Sequence, residues 1–587
     1  MRGADERAVN DTAEGDQPPG SRGAQSSGPA PGPIAAALSF ALAHLRQAWK
    51  VLRSRGPSQF QFWLIALIIG IAAGFAALGF RMAIGYIQSS LYGVEDVHLL
   101  HSFAETLPWF MILLIPIIGG LLVGVILHWF TPDGRVRAVS DVIEGAALHK
   151  GRVEGRAGIA SAVASLITLS TGGSSGREGP VVHMAAVMST WVLRRIRADG
   201  VTGRDLLGCA VAAAVSASFN APIAGALFAL EVVLRHFAIH AFAPIVIASV
   251  AGTVINRLKF GGVTEFELPT TSMFGFYQEL PAFLLLGLIC GIVAGLVMLT
   301  IFAAEDFAGA LQKRAGIPRW LRPALAGGLL GMMAIPFPHI IGVGYETTSL
   351  ALTGELLLSQ AILFAVLKTV AVAVTFGGRM GGGVFSPALM IGALTGLAFG
   401  YIATGLFPEV SGSATLYALA GMGGVAAAVL GAPISTTLIV FELTGDWATG
   451  LAVMVTISTS VAVGTRLVDR SFFLSQLERR NIHLAAGPQS YLLAVFHVSG
   501  TMRAVGSERA APDDACWEMI ESGSYLDASA TLETAMPMFE RTGAVYLPVV
   551  TLGGADKPPE LLGALFHVDA LKVYNGALAA TAAEEHS

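Results

Sequence analysis

The sequence predicts an all-α polytopic membrane protein built on an inverted repeat of tilted and discontinuous helices, with a small soluble α/β segment at its C-terminal end. Composition is the first ground: of 587 residues, 54% are hydrophobic and only 13% charged, where a soluble domain carries roughly a quarter charged. Long apolar runs are the second, because residues 62–80, 107–130 and 281–304 approach or exceed the about 20 residues a helix needs to cross a bilayer. The third is an internal duplication, taken up below.

Along the chain, the first 33 residues are rich in Gly, Pro, Ser and Asp and lack the apolar core of a signal peptide, so they read as a disordered tail. Residues 35–51 are amphipathic, and Arg46, Lys50, Arg53 and Arg55 precede the first span, which puts the N-terminus in the cytoplasm. The expected domains are a tail and amphipathic cytoplasmic helix over 1–58, a transmembrane domain over 59–482 and a cytoplasmic segment over 483–587. Within the second, the repeats run over about 59–258 and 278–482. Both termini are expected in the cytoplasm and the whole in a bacterial inner (plasma) membrane, surrounded by lipid.

A net charge of −5 with no basic block excludes nucleic acid as a partner. Cys209, Cys290 and Cys516 are few and scattered, two of them in apolar segments, so they read as packing residues and imply neither disulfides nor a metal site. The chain carries no P-loop, no H-E-x-x-H and no nucleophile motif beside a base, which argues against an enzyme.

Many apolar segments are short or broken by glycine, a pattern of helices that start or stop inside a membrane. "GCAVAAAVSASFNAPIAGALFALEVV" from Gly208 matches "AGMGGVAAAVLGAPISTTLIVFELTG" from Ala420, and in both a glutamate (Glu231, Glu442) follows nine residues after the proline. Upstream and in the same order, "GREGPVVHMAAV" matches "GVFSPALMIGAL", so Glu178 and Phe385 occupy equivalent positions two residues before their prolines. Proline suits the first turn of a helix, where its missing N–H has no intrahelical partner, and preceding glycines leave backbone N–H groups open to a ligand. Two helix starts meeting in a medium without water would suit a dehydrated anion, and the carboxylate of Glu178 would compete with it. Capping its own helix, or pairing with Arg177, is the plainer reading for Glu178; the cost of burying a carboxylate in a membrane, on the order of 2.5–3.5 kcal/mol, favours function.

The motifs "GREGP" at 176–180, "FNAPIAG" at 219–225, "GGVFSP" at 382–387 and "GAPISTTLIVFELTGD" at 431–446 together resemble the chloride channel and chloride/proton antiporter (CLC) family, in order, over roughly residues 61–480. The resemblance implies a homodimer with an anion pathway in each subunit, and Glu178 as a gate that occupies an anion site when ionised and withdraws when protonated. Gly176, Arg177, Gly179, Val384 and Phe385 join it as candidate pathway residues.

Three positions depart from the family pattern. Placed by the following "DVIEGAALHKG", the run Val136-Arg137-Ala138-Val139-Ser140 replaces a Gly-Ser-Gly-Ile-Pro loop, so Arg137 falls where a serine would bind the central anion. A guanidinium offers five donors and a permanent charge, which makes Arg137 a candidate lining residue; Ser140 lines the pathway or caps the next helix. Phe473 replaces a tyrosine and can narrow a pore but not bond an anion. Val232 replaces the proton-relaying glutamate of the antiporters, beside Glu231, its more structural neighbour.

The stretch from Asp527 onward reads helix, strand, turn, strand, helix and resembles one degenerate cystathionine-beta-synthase (CBS) repeat, too short for a tandem pair, so a nucleotide at Asp569 is not expected and no cofactor is implied. The expected function is movement of a small inorganic anion, channel-like or weakly coupled to protons through Glu178 and Glu231. The alternatives are an antiporter with a substituted relay and an anion sensor without flux.

Overall fold

In a computed structural model, the structure describes residues 58–93, 99–196, 200–237, 239–262, 266, 278–482, 484, 492–493, 496–507, 509–551 and 560–585. The expected N-terminal tail and amphipathic helix lie outside the described residues. Ser58 caps the first helix, α1 (Gln59–Tyr92). Its hydroxyl accepts the Gln61 N–H, the Gln61 side chain returns the bond, and Gly93 in the left-handed region ends the run.

Four helices, α2 (Leu100–Ala104), α3 (Trp109–Phe130), α4 (Val139–Leu148) and α5 (Gly155–Ser170), lead to the heart of the first repeat. That heart is α6 (Glu178–Leu193), α7 (Gly200–Phe219), α8 (Pro222–Phe228), which continues as a π turn over Ala229–Leu234, and α9 (Ile239–Phe260). The chain then runs through α10 (Leu280–Arg314), α11 (Arg322–Ala334), α12 (Tyr345–Thr353) and α13 (Leu358–Gly377). The second heart follows as α14 (Phe385–Leu406), α15 (Ala414–Leu430), α16 (Pro433–Thr444) and α17 (Trp447–Leu467), closed by α18 (Phe472–Glu478). Among the described residues, 7 helices are long and apolar enough to cross a membrane.

The duplication read from sequence is present in the backbone. Glu178 and Phe385 are each the first residue of their helix, and Pro222 and Pro433 each open theirs. Two residues before each of those prolines the chain turns through the left-handed region, at Asn220 (φ 58) and Gly431 (φ 67). Asn tolerates that conformation because its short amide finds a local partner; here its Oδ1 accepts from Arg257 Nε at 2.6 Å. Helices α7 and α15 are buried on nearly every face, so they form the centre of the two halves.

The two glutamates that end the repeated motif are exchanged between the halves. Glu231, in the π turn after α8, accepts the N–H groups of Ile434 (2.9 Å) and Ser435 (2.8 Å) at the start of α16, and the Ser435 hydroxyl as well. Glu442, near the end of α16, accepts those of Ile223 (3.0 Å) and Ala224 (2.8 Å) at the start of α8. Each half thus satisfies amides of the other that the bilayer could not. Removing either carboxylate leaves two backbone amides without their acceptor, so Glu442→Ala is expected to cost about 3 kcal/mol and lower the melting temperature in detergent. The exposed Glu409, changed to Ala, should not.

Beyond α18 a four-stranded sheet is built from β1 (Arg503–Ala504), β2 (Leu526–Asp527), β3 (Tyr546–Thr551) and β4 (Glu560–Phe566) in the order β1-β4-β3-β2. The β3–β4 and β1–β4 pairs are antiparallel and β2–β3 is parallel. Three helices, α19 (Asp513–Glu521), α20 (Leu532–Thr542) and α21 (His567–Glu585), accompany it, and Leu532, Phe539, Leu547, Val549 and Leu565 form its core. Asp569 is ion-paired to Arg503 Nε at 2.7 Å.

Candidate functional site

Two glycine loops, one from each half, meet backbone to backbone. Gly176 N–H donates to Gly383 O and Gly383 N–H to Gly176 O, both at 2.7 Å, an antiparallel bridge between positions equivalent in the duplication. Gly382 precedes it with φ +130, a conformation that L side chains rarely adopt, and an added Cβ would strike Ser175. From this clasp α6 and α14 diverge, so the first amides of both helices face a shared region.

Glu178 stands at its centre, 5% exposed in side chain and backbone together. Its Oε1 accepts the hydroxyl of Ser386, the residue after Phe385. Its Oε2 is buried with no hydrogen-bond partner among the described residues. It folds back over Gly176, where a Cβ would collide with Oε2. Arg177 turns aside: Nη2 donates to Ser218 O at 2.9 Å, and the guanidinium lies 5.4 Å from the centre of the Tyr345 ring. Phe385 packs edge-on against Phe219, ring centroids 4.7 Å apart, and Val384 and Gly179 are buried beside the clasp.

Several contributors carried no signal in the sequence. The Ser386 hydroxyl sits inside a motif that already stood out for its glycines and proline, and nothing in its spacing marked it. His183, on α6, places Nδ1 3.3 Å from Ala138 O and ties that helix to the entry of α4. Lys368 is fully buried, donating to Ile340 O at 3.2 Å and Gly342 O at 2.9 Å, and so fixes the turn that delivers Tyr345 to Arg177.

A cavity of about 290 Å³ adjoins the clasp at Gly382 and Met380, with Ser140 on its wall. Five arginines (Arg135, Arg322, Arg379, Arg479, Arg480) face Glu305 and Asp306 across it. Three of the five are ion-paired, Arg135 to Asp133 and Asp141, Arg479 to Asp306, and Arg480 to Asp141 and Glu144; Arg322 and Arg379, which among the described residues bond main-chain carbonyls and Gln312, carry the positive charge that a recess with low-dielectric walls can present to anions. Its arginines are scattered over 346 positions of chain, from 135 to 480, so no run of basic residues announced them. Ser140 lines this cavity and does not cap α4; Ala138 stands at that helix's start, and its N–H goes to Asp141 Oδ2 at 2.8 Å. Phe473 is buried against Phe472, ring centroids 5.9 Å apart, and lies one turn before Gln476, which does reach the cavity.

Two expectations change. Arg137, a candidate lining residue, is spent on its neighbours: Nη1 bonds Asp133 Oδ2 at 2.8 Å, while Nε and Nη2 bond Glu154 Oε2 at 3.1 and 2.9 Å. The carboxylate that claims it, Asp133, stands four residues earlier in the chain. Burial alone would raise the Asp133 carboxyl, but the Arg137 hydrogen bond and the charges of Arg137 and Arg135 outweigh it and hold it below its ordinary value. That contact therefore contributes fully above the ordinary carboxylate range and is lost as pH falls through the depressed value, below about 4. Arg137→Ser is expected to leave anion selectivity unchanged and to cost about 1 kcal/mol, since both carboxylates are partly solvated; flux selectivity and melting in detergent check the two parts. Glu231, a candidate on a proton path, has both oxygens occupied at the start of α16, and Val232 beside it is buried.

A family model described as voltage gated chloride channel matches residues 119–465, more than half the chain. Among curated proteins, the chain is 32% identical over 394 residues to a ClcB-like chloride channel protein of Ralstonia nicotianae, covering 66% of this chain and 90% of that protein. It is 28% identical over 444 residues to the H(+)/Cl(-) exchange transporter ClcA of Vibrio parahaemolyticus, covering 75% of this chain and 94% of that one. Among solved structures, a slow cyanobacterial Cl−/H+ antiporter aligns with a TM-score of 0.64 at 21% identity, over 72% of this chain and 98% of its own.

Proposed function

Because the chain belongs to the voltage-gated chloride channel family, we propose that it carries small inorganic anions of the chloride class across a membrane, along a pathway in each subunit of a homodimer. It is an integral membrane protein, and family members are transporters and channels. The relatives include both channel-named and exchanger-named proteins, and two residues of this chain favour weak coupling. Valine at 232 carries no proton, and the Glu231 carboxylate is engaged as a cap. Flux is therefore passive or only weakly proton-coupled.

The observation that carries the reading is the buried Glu178 Oε2 without a partner, set where two helix starts converge. A carboxylate oxygen there occupies the place an anion would take, and protonation lets it withdraw. The arginine-lined cavity supplies the approach, and by the positive-inside tendency its side is the cytoplasmic one. The C-terminal sheet then lies in the cytoplasm, with no nucleotide needed: Asp569 is already paired with Arg503. Purified protein in chloride-loaded liposomes should release chloride once the membrane potential is shunted, with little accompanying change of internal pH. Binding without release would instead mark a sensor, and stoichiometric proton movement an exchanger.

A further inference from the structure

A second cavity, of about 470 Å³, lies between the last turn of α3 and the segment that joins α10 to α11. His128, Thr131, Pro318, Arg319, Trp320 and Arg379 line it. Its volume lies within the range of ligand cavities, about 300–1,000 Å³, and its wall is partly apolar and partly cationic. Arg319 is exposed and makes no ion pair or hydrogen bond among the described residues. Among the described residues, the hydrogen bonds of Arg379 go only to main-chain carbonyls, Asp133 O at 3.0 Å and Gly134 O at 3.5 Å.

The setting identifies the occupant. Trp320 (37% exposed) lines the cavity and Trp129 (71% exposed) follows the lining residue His128 in the last turn of α3, and exposed tryptophans of this kind mark the headgroup level of a bilayer. Lys313 and Arg314 end α10 nearby in sequence. Basic pockets between membrane helices on the cytoplasmic side suit anionic lipid headgroups. We propose that this cavity binds the phosphate headgroup of an anionic phospholipid, with Arg319 and Arg379 as its cationic ligands.

The site has a built-in consequence, because Arg379 also lines the arginine-rich cavity beside the clasp. A headgroup on one side of its guanidinium offsets charge that the other side presents to incoming anions. Anionic lipid therefore lowers flux through this residue. The flux consequence rests on the anion-transport reading; the lipid site does not.

Two measurements on the full-length protein test it. In native mass spectrometry from detergent, wild type should retain phosphatidylglycerol, and Arg319→Gln should weaken that retention about five-fold, the worth of one basic side chain beside an anionic group, with Arg319→Lys restoring most of it. In liposomes, chloride efflux of wild type should be slower in phosphatidylglycerol than in phosphatidylcholine, while Arg319→Gln behaves like wild type in phosphatidylcholine and loses most of the difference. Equal lipid retention by wild type and Arg319→Gln overturns the site. A lipid response left intact in Arg319→Gln reduces the effect to general surface potential and overturns the coupling. Displacement of the lipid by soluble glycerol phosphate at matched concentration would assign the cavity to a free phosphate compound and overturn the lipid. No efflux in either lipid defeats the transport reading, and the retention measurement still decides the site.

Discussion

Glu178→Gln flattens the pH dependence of anion efflux and holds flux near the level that the wild type reaches at acid pH. The amide keeps the shape of the protonated carboxyl and cannot take the charge that competes with a passing anion. In the wild type, efflux is expected to rise as pH falls, since protonation neutralises a group whose Oε2 has no hydrogen-bond partner among the described residues. The expected contrast is at least about ten-fold at neutral pH, a change of about 1.4 kcal/mol in the occupancy of one site. Chloride efflux from liposomes buffered across the acid-to-neutral range measures it. An unchanged profile would remove Glu178 from the gate. Ser386→Ala is a useful companion, because it deletes the one hydroxyl donor to Oε1 and leaves the carboxylate in place.

Gly382→Ala should be severely damaging to both fold and transport. It forces an L side chain to φ +130 and drives its Cβ into Ser175; the backbone strain alone is worth about 1–3 kcal/mol, and the clasp between Gly176 and Gly383 lies at the next residue. Loss of transport by more than about ten-fold, with reduced yield of folded protein, is the expected result in flux and gel-filtration assays. Gly79→Ala serves as the control: that position sits within α1 with nothing within 4 Å of an added Cβ, so a gain in helix propensity of up to about 1 kcal/mol is all that should be felt.

Proline and glycine made most of the architecture visible beforehand. They are punctuation whose physical meaning does not depend on distant partners, so the starts of α6 and α14, the equivalence of Glu178 with Phe385 and the repeat of Pro222 by Pro433 follow from local pattern alone. Polar partnerships across long separations were hidden. Nothing in the spacing said that Glu231 and Glu442 would exchange places at each other's helix starts, because that is a property of how the halves pack. Arg137 shows the same limit from the other side: a position matched to a ligand-bearing loop drew attention, while Asp133 and Glu154 claimed its guanidinium. The arginine cavity is legible only in three dimensions, since its residues come from a loop after α3 and from elements as distant as α18.

The exchanged glutamates also impose an order on biosynthesis. When the ribosome has delivered only the first half, Ile223 and Ala224 hold bare amides in a lipid medium, and their acceptor is a residue 219 and 218 positions further on. Maturation of the early half is expected to wait for the late one, and a nascent chain halted before Glu442 should stay open to chaperones and membrane proteases. Two halves co-expressed as separate polypeptides, each bringing the acid that the other lacks, have a chemical reason to find one another.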